Sequence, residues 1–191
     1  MISSETFHVV TTELVVGAFS VAGLSFTLCL LLHLGVLKQP SWSPVVDHVA
    51  HFTLAFGLAA TPFAILSGLS SAPGEGLNSP ILVNKMFLSM TGFGFALGCL
   101  IARWRLGDKV WSTTKSVVLH SASGLAAVGS MLLTASAGGT FARGESLLDM
   151  FHLPYEHVLL FPVMVSTIAL LLGLTMLVLS WKRMNASSTV H

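Results

Sequence analysis

Charge is what this sequence has least of. Of its 191 residues only 9% are charged, against 53% hydrophobic, where a water-soluble domain carries about 25% charged residues. So few charges cannot coat a surface that faces water, so lipid is part of this chain's solvent. The net charge of +1 excludes the strongly basic footprint of a nucleic-acid binder. Cysteine is scarce too: Cys29 and Cys99 each stand inside an apolar run. Without paired spacing they make neither a disulfide framework nor a zinc or haem-attachment motif, and both read as small buried hydrophobes. No nucleophile stands beside a base and no glycine loop is built to cradle phosphate, which excludes a self-contained hydrolytic enzyme. The first residues, Met-Ile-Ser-Ser-Glu-Thr-Phe-His, lack a basic n-region, so the first apolar run reads as a retained span and not as a signal peptide.

What the chain does have is five apolar runs of the roughly 20 residues that cross a bilayer as a helix. They cover residues 14–36, 45–69, 81–102, 110–134 and 155–181. Their continuous apolarity excludes the alternating pattern of a barrel, so the expected fold is all-α, a single membrane domain of five transmembrane helices. With the N-terminus outside, the cytoplasmic segments hold seven basic residues (Lys38, Arg103, Arg105, Lys109, Lys115, Lys182, Arg183) and the outside holds two, Lys85 and Arg143. Positive charge collects on the cytoplasmic side, so the expected topology is N-terminus out and C-terminus in. Trp42, Trp104, Trp111 and Trp181 then all fall at the inner boundary, where indole rings anchor. Lys85 snorkels at the outer one. Residues 135–154 form the longest connection, an outer loop with Gly138-Gly139 and Arg143-Gly144. Gly94 and Gly98 make a small-residue packing stripe in the third span.

Histidines inside these runs carry the chemistry. An ionisable ring in hydrocarbon is costly and marks a functional site by default. At 1.5 Å per residue, His51 lies about 9 Å and His120 about 15 Å in from the inner boundary, on different helices and in one leaflet. His33 and His48 share that half, whereas His8, His152 and His157 lie at the outer surface. Two chemistries compete for the inner cluster. A b-type haem needs two axial histidines and an apolar slot, here His51 and His120, with Gly124 and Ala127 leaving room for the ring and His33 and His48 as alternates. A non-haem metal would draw on His48, His51 and His120 with an oxygen from Asp47, although Asp47 stands about 100° around the helix from His48. At the outer surface His152, Tyr155, Glu156 and His157 would face a partner or a quinone, and His8 with His157 would serve a second haem.

One stretch, Ser43-Pro44-Val-Val-Asp-His-Val-Ala-His51-Phe52, opens the second helix. Another, Leu132-Leu-Thr-Ala-Ser-Ala-Gly138-Gly139-Thr-Phe-Ala-Arg143-Gly144, closes the fourth. Together they resemble the bacterial and archaeal membrane family called domain of unknown function 2231, over about residues 43–150. Val46-Asp47 stand where that family has a His-Pro pair, and Thr53 stands where it has a proline after His-Phe. The resemblance implies a four-helix membrane unit with a special place for His51, and no particular activity. A looser likeness, of architecture alone, is to the five-helix haem b anchor subunits of respiratory complexes. The expected function is therefore a subunit of a membrane redox complex, in the plasma (inner) membrane of a prokaryote, passing electrons through haem b beside other subunits. Its competitors are a cofactor-free scaffold subunit and a non-haem metal or proton-pathway protein.

Overall fold

The computed structural model describes residues 3–71, 74, 78–146 and 149, and in the last segment Met164, Ile168, Leu171 and Thr175. Four long helices dominate: α1 (Ser4–His33), α2 (Ser43–Ser71), α3 (Pro80–Leu106) and α4 (Thr114–Arg143). Short 3-10 turns at Pro40–Trp42 and Gly107–Trp111 lead into α2 and out of α3. No strand occurs among the described residues. The fold is all-α, and four helices are long and apolar enough to cross a membrane, as in a multi-pass membrane protein. The chain divides into two compact units, Met1–Val158 and Leu159–His191. In the second unit the four described positions are helical, and Thr175 Oγ1 donates to the Leu171 carbonyl at 2.7 Å. The expected fifth span, 155–181, otherwise lies outside the described residues.

The helix ends depart from the ends of the apolar runs, because polar residues cap them. Ser3 accepts the Thr6 N–H at 3.2 Å, which starts α1 at Ser4 and not at residue 14. A side-chain oxygen there satisfies an N–H that has no partner within the helix. Thr113 caps α4 in the same way, accepting from Ser116 N at 3.2 Å, so that α4 starts at Thr114 and not at residue 110. Pro80 opens α3, where its missing N–H costs nothing. At the far end α4 runs to Arg143, so residues 135–143, expected in the outer loop, are helix. Gly138-Gly139 does not break it. A side chain at Gly138 would sit 2.9 Å from Lys85 Nζ, and one at Gly139 would sit 2.8 Å from the Glu145 carbonyl oxygen. The pair is there for close packing. The helix ends one step later at Gly144, whose φ of 73° gives the left-handed turn that terminates it.

Contacts along the helices give their order. His8 meets Ser67, Gly57 accepts the Phe19 ring and His33 reaches Ser43, so α1 and α2 are antiparallel. Gly92 lies against Met131 and Cys99 against His120, which makes α3 and α4 a second antiparallel pair. Gly23 against Val128, and Gly124 against Phe26, join the two hairpins through α1 and α4, while α2 and α3 touch little. The core is aliphatic and aromatic, with Phe19, Phe26 and Leu54 fully buried. Outward, Leu24, Phe52, Phe63, Leu66 and Met90 are exposed, an apolar exterior that fits lipid contact. Packing between such helices relies on small residues that let neighbours approach closely. The sharpest case is Gly124, where an added Cβ would stand 2.7 Å from the Phe26 ring. Substituting Gly124→Val should lower stability by about 1–3 kcal/mol, the usual cost of overpacking a filled interior. Gly129→Ala, which meets nothing within 4 Å, should not lower it. Thermal unfolding in detergent compares the two.

Candidate metal centre

Two pairs spaced four residues apart build the site, and each pair lies on one face of its helix. On α2 they are Asp47 and His51; on α3 they are Cys99 and Arg103. His120 comes from α4, and Trp111 from the 3-10 turn between α3 and α4. All lie near the end of the bundle that carries Trp42, Trp104 and Trp111.

Asp47 is the hub. It is 5% exposed, and a charge buried in this way persists only when paired and hydrogen-bonded. Arg103 supplies both conditions, donating Nε at 3.2 Å and Nη2 at 2.7 Å to Asp47 Oδ2. The other oxygen, Oδ1, accepts from Trp111 Nε1 at 2.9 Å and stands 3.0 Å from His51 Nδ1. His51 Nδ1 is also 2.8 Å from the Asp47 carbonyl. With only acceptors around Nδ1, that nitrogen carries the proton, so His51 Nε2 keeps its lone pair. A carboxylate on the far ring nitrogen is the usual arrangement behind a metal-bound histidine.

His51 Nε2 points at His120 Nε2, 2.9 Å away, with the rings 19° from parallel. Cys99 Sγ lies 3.6 Å from the same His120 nitrogen. One ligand atom from each of His51, Cys99 and His120 falls within 4.8 Å of the others. Metal bonds of about 2.0–2.1 Å to nitrogen and about 2.3 Å to sulfur set neighbouring donors on a tetrahedral ion about 3.4 Å (N to N) and about 3.6 Å (N to S) apart. The Cys99–His120 edge is already at that length, with Sγ also 3.7 Å from His120 Nδ1, so to hold an ion the two imidazoles would part by about half an ångström and turn their Nε2 atoms toward the sulfur.

The same distances bear on haem. Ligands on opposite sides of one metal stand two bonds apart, about 4 Å at these bond lengths, and a macrocycle must fit between them. The room expected beside His120 is taken: the Phe26 ring packs onto Gly124, and Ala127 is fully buried. Phe26 also meets both imidazoles edge-on, with ring centres at 5.3 Å and 6.0 Å. A haem would have to displace α1.

The remaining residues singled out in the sequence fall elsewhere. Asp47 does not offer an oxygen to a metal, because Arg103, Trp111 and His51 occupy both of its carboxylate oxygens. His48 is exposed and turned back onto the Pro44 carbonyl, away from His51. His33 stacks on Trp111 with ring centres 4.7 Å apart and bonds the Cys29 carbonyl at 2.8 Å, so it braces the indole. His8 lies at the opposite end of the bundle, 3.0 Å from Ser67 Oγ. His152, Tyr155, Glu156 and His157 are outside the described residues. Conversely, Cys99, read as a buried hydrophobe, stands with His51 and His120 in the group that could hold a metal, and Arg103 and Trp111, read as boundary markers, hold Asp47. The signal for them was the matched i, i+4 spacing of Asp47/His51 and Cys99/Arg103 at one boundary.

Compared with family models, curated proteins and solved structures, the chain matches none.

Removing the hub carboxylate leaves Arg103 without its buried partner. Asp47→Ala should cost about 1–3 kcal/mol of stability, the range for leaving buried donors unsatisfied, because Trp111 and His51 lose their acceptor while the part-exposed Arg103 keeps Asp108. Asp108→Ala, removing the exposed second partner of Arg103 at 2.9 Å, should change stability little, because solvated pairs contribute little. Denaturant unfolding of both variants in one detergent measures the difference.

Proposed function

We propose that the chain is a multi-pass membrane protein that holds one transition-metal ion between His51, Cys99 and His120, and that it serves as a metal-bearing subunit of a membrane redox complex. The observation that carries the reading is the convergence of three donor atoms from three helices within 4.8 Å, one of them presented by a buried carboxylate. A thiolate with two imidazoles suits borderline-soft metals: zinc takes such sets, and two histidines with one cysteine form the trigonal set of electron-transfer copper sites. Copper is the metal assigned here, because divalent affinities peak at copper and because copper supplies one-electron chemistry. A chain with so few water-facing charges has little surface of its own for catalysis, which favours work beside other subunits.

The placement of the site in the bilayer belongs to the same reading. Seven basic residues against two support an outer N-terminus, an inner C-terminus and a fifth span at 155–181, in a prokaryotic plasma membrane. The metal would then lie in the cytoplasmic half.

One observation favours a second reading. The 2.9 Å contact between the imidazoles also satisfies both rings without a metal, as in a cofactor-free scaffold that ties α2, α3 and α4 together. Elemental analysis of protein purified in detergent without chelators separates the two. The metal reading predicts about one copper per chain, lost in Cys99→Ser and His120→Ala and kept in His33→Ala and His48→Ala. Metal below a tenth of stoichiometry, after copper has been offered to the purified protein, leaves the scaffold reading. A sharp haem α band on reduction would restore haem.

A further inference from the structure

We infer that the metal of this site has one coordination position left to an exogenous ligand, and that this position opens into a crevice between α3 and α4. The inference rests on the metal reading above and goes beyond it by naming what the site takes. The chain supplies three donors, and the nearest other acid, Asp47, is held on the far side of His51 by Arg103 and Trp111. A site with three protein ligands keeps its fourth position for water or substrate.

The crevice shows where that position leads. It is an open groove of about 210 Å³, and both Cys99 and His120 form part of its wall. Gly98, Ala102, Leu119 and Ser123 make up much of the remainder, and Leu106, Val110 and Ser116 carry it toward the tryptophan-bearing end of the bundle. Two of the three donor residues therefore border the crevice, although Cys99 and His120 are only 2% and 6% exposed. The walls are mainly aliphatic with two hydroxyls and no charge, which suits a small, weakly hydrated ligand better than a strongly hydrated one. Its class is a small lone-pair donor such as azide, which adds to the metal or displaces water with no electron transferred and no protein bond broken.

Gly98 gives a way to close the crevice without touching a ligand residue. A Cβ there meets nothing within 4 Å, so Gly98→Leu fills open space. Gly94, one turn away, is equally open but does not line the crevice, which makes Gly94→Leu the control. The experiment loads purified protein with Co(II), reads the visible cobalt bands and the thiolate-to-cobalt band, and titrates azide. Wild type and Gly94→Leu should show saturable azide shifts. Gly98→Leu should keep both sets of cobalt bands and bind azide about tenfold more weakly or not at all, a loss of about 1.4 kcal/mol or more. Cobalt bands that ignore azide in the wild type would overturn the open position. Equal azide affinity in Gly98→Leu would overturn its direction. No thiolate-to-cobalt band would overturn the metal reading itself.

Discussion

A single buried carboxylate organises this bundle. Asp47 is buried among the helices, so its charge must be met from within the protein. Arg103 of α3 meets it from one side, and Trp111 and His51 from the other. That constraint joins α2 to α3, two helices that otherwise touch little, and it fixes the turn after α3 against the core. It also sets the tautomer of His51, because the ring nitrogen facing Asp47 must donate. Everything asked of the site follows from the nitrogen that this leaves free.

Around that hub the bundle obeys membrane rules. The exterior of the helices is as apolar as the core, so burial of apolar surface cannot by itself decide how they pack. Close approach does so instead, with phenylalanine rings of α1 set against glycines of α2 and α4. Gly124 and Ala127 beside His120 belong to this packing. Their small size suggested space for a macrocycle, but the Phe26 ring fills that space. The polar cluster survives at one end because its groups satisfy one another, and the aromatic ring of Trp111 shields it, edge-on to His120 at 5.0 Å and stacked on His33.

Helix number and position over the first four spans were legible in the sequence, because continuous apolar runs of bilayer length have few other solutions. The ends were not. Ser3 starts α1 ahead of its apolar run and Thr113 starts α4 inside its own, each by capping, a local hydrogen bond that hydropathy does not register. Gly138-Gly139 reads as part of the outer loop because a one-dimensional reading cannot see Lys85 and the returning chain pressed against it. His51 and His120 stood out as ionisable groups in hydrocarbon, and the structure brings them together. Cys99 and Arg103 did not, since a cysteine in an apolar run resembles any small hydrophobe and a boundary arginine resembles a topology signal. Their partnership appears only when α3 and α4 are folded against α2.

X-ray absorption at the copper edge of the loaded protein in detergent tests the central claim most directly. The account predicts one sulfur scatterer near 2.3 Å and two imidazole nitrogens at about 2.0–2.1 Å, the thiolate and histidine distances of small first-row metal sites. The sulfur should vanish in Cys99→Ser. A shell of nitrogen and oxygen alone, unchanged by that substitution, would contradict it.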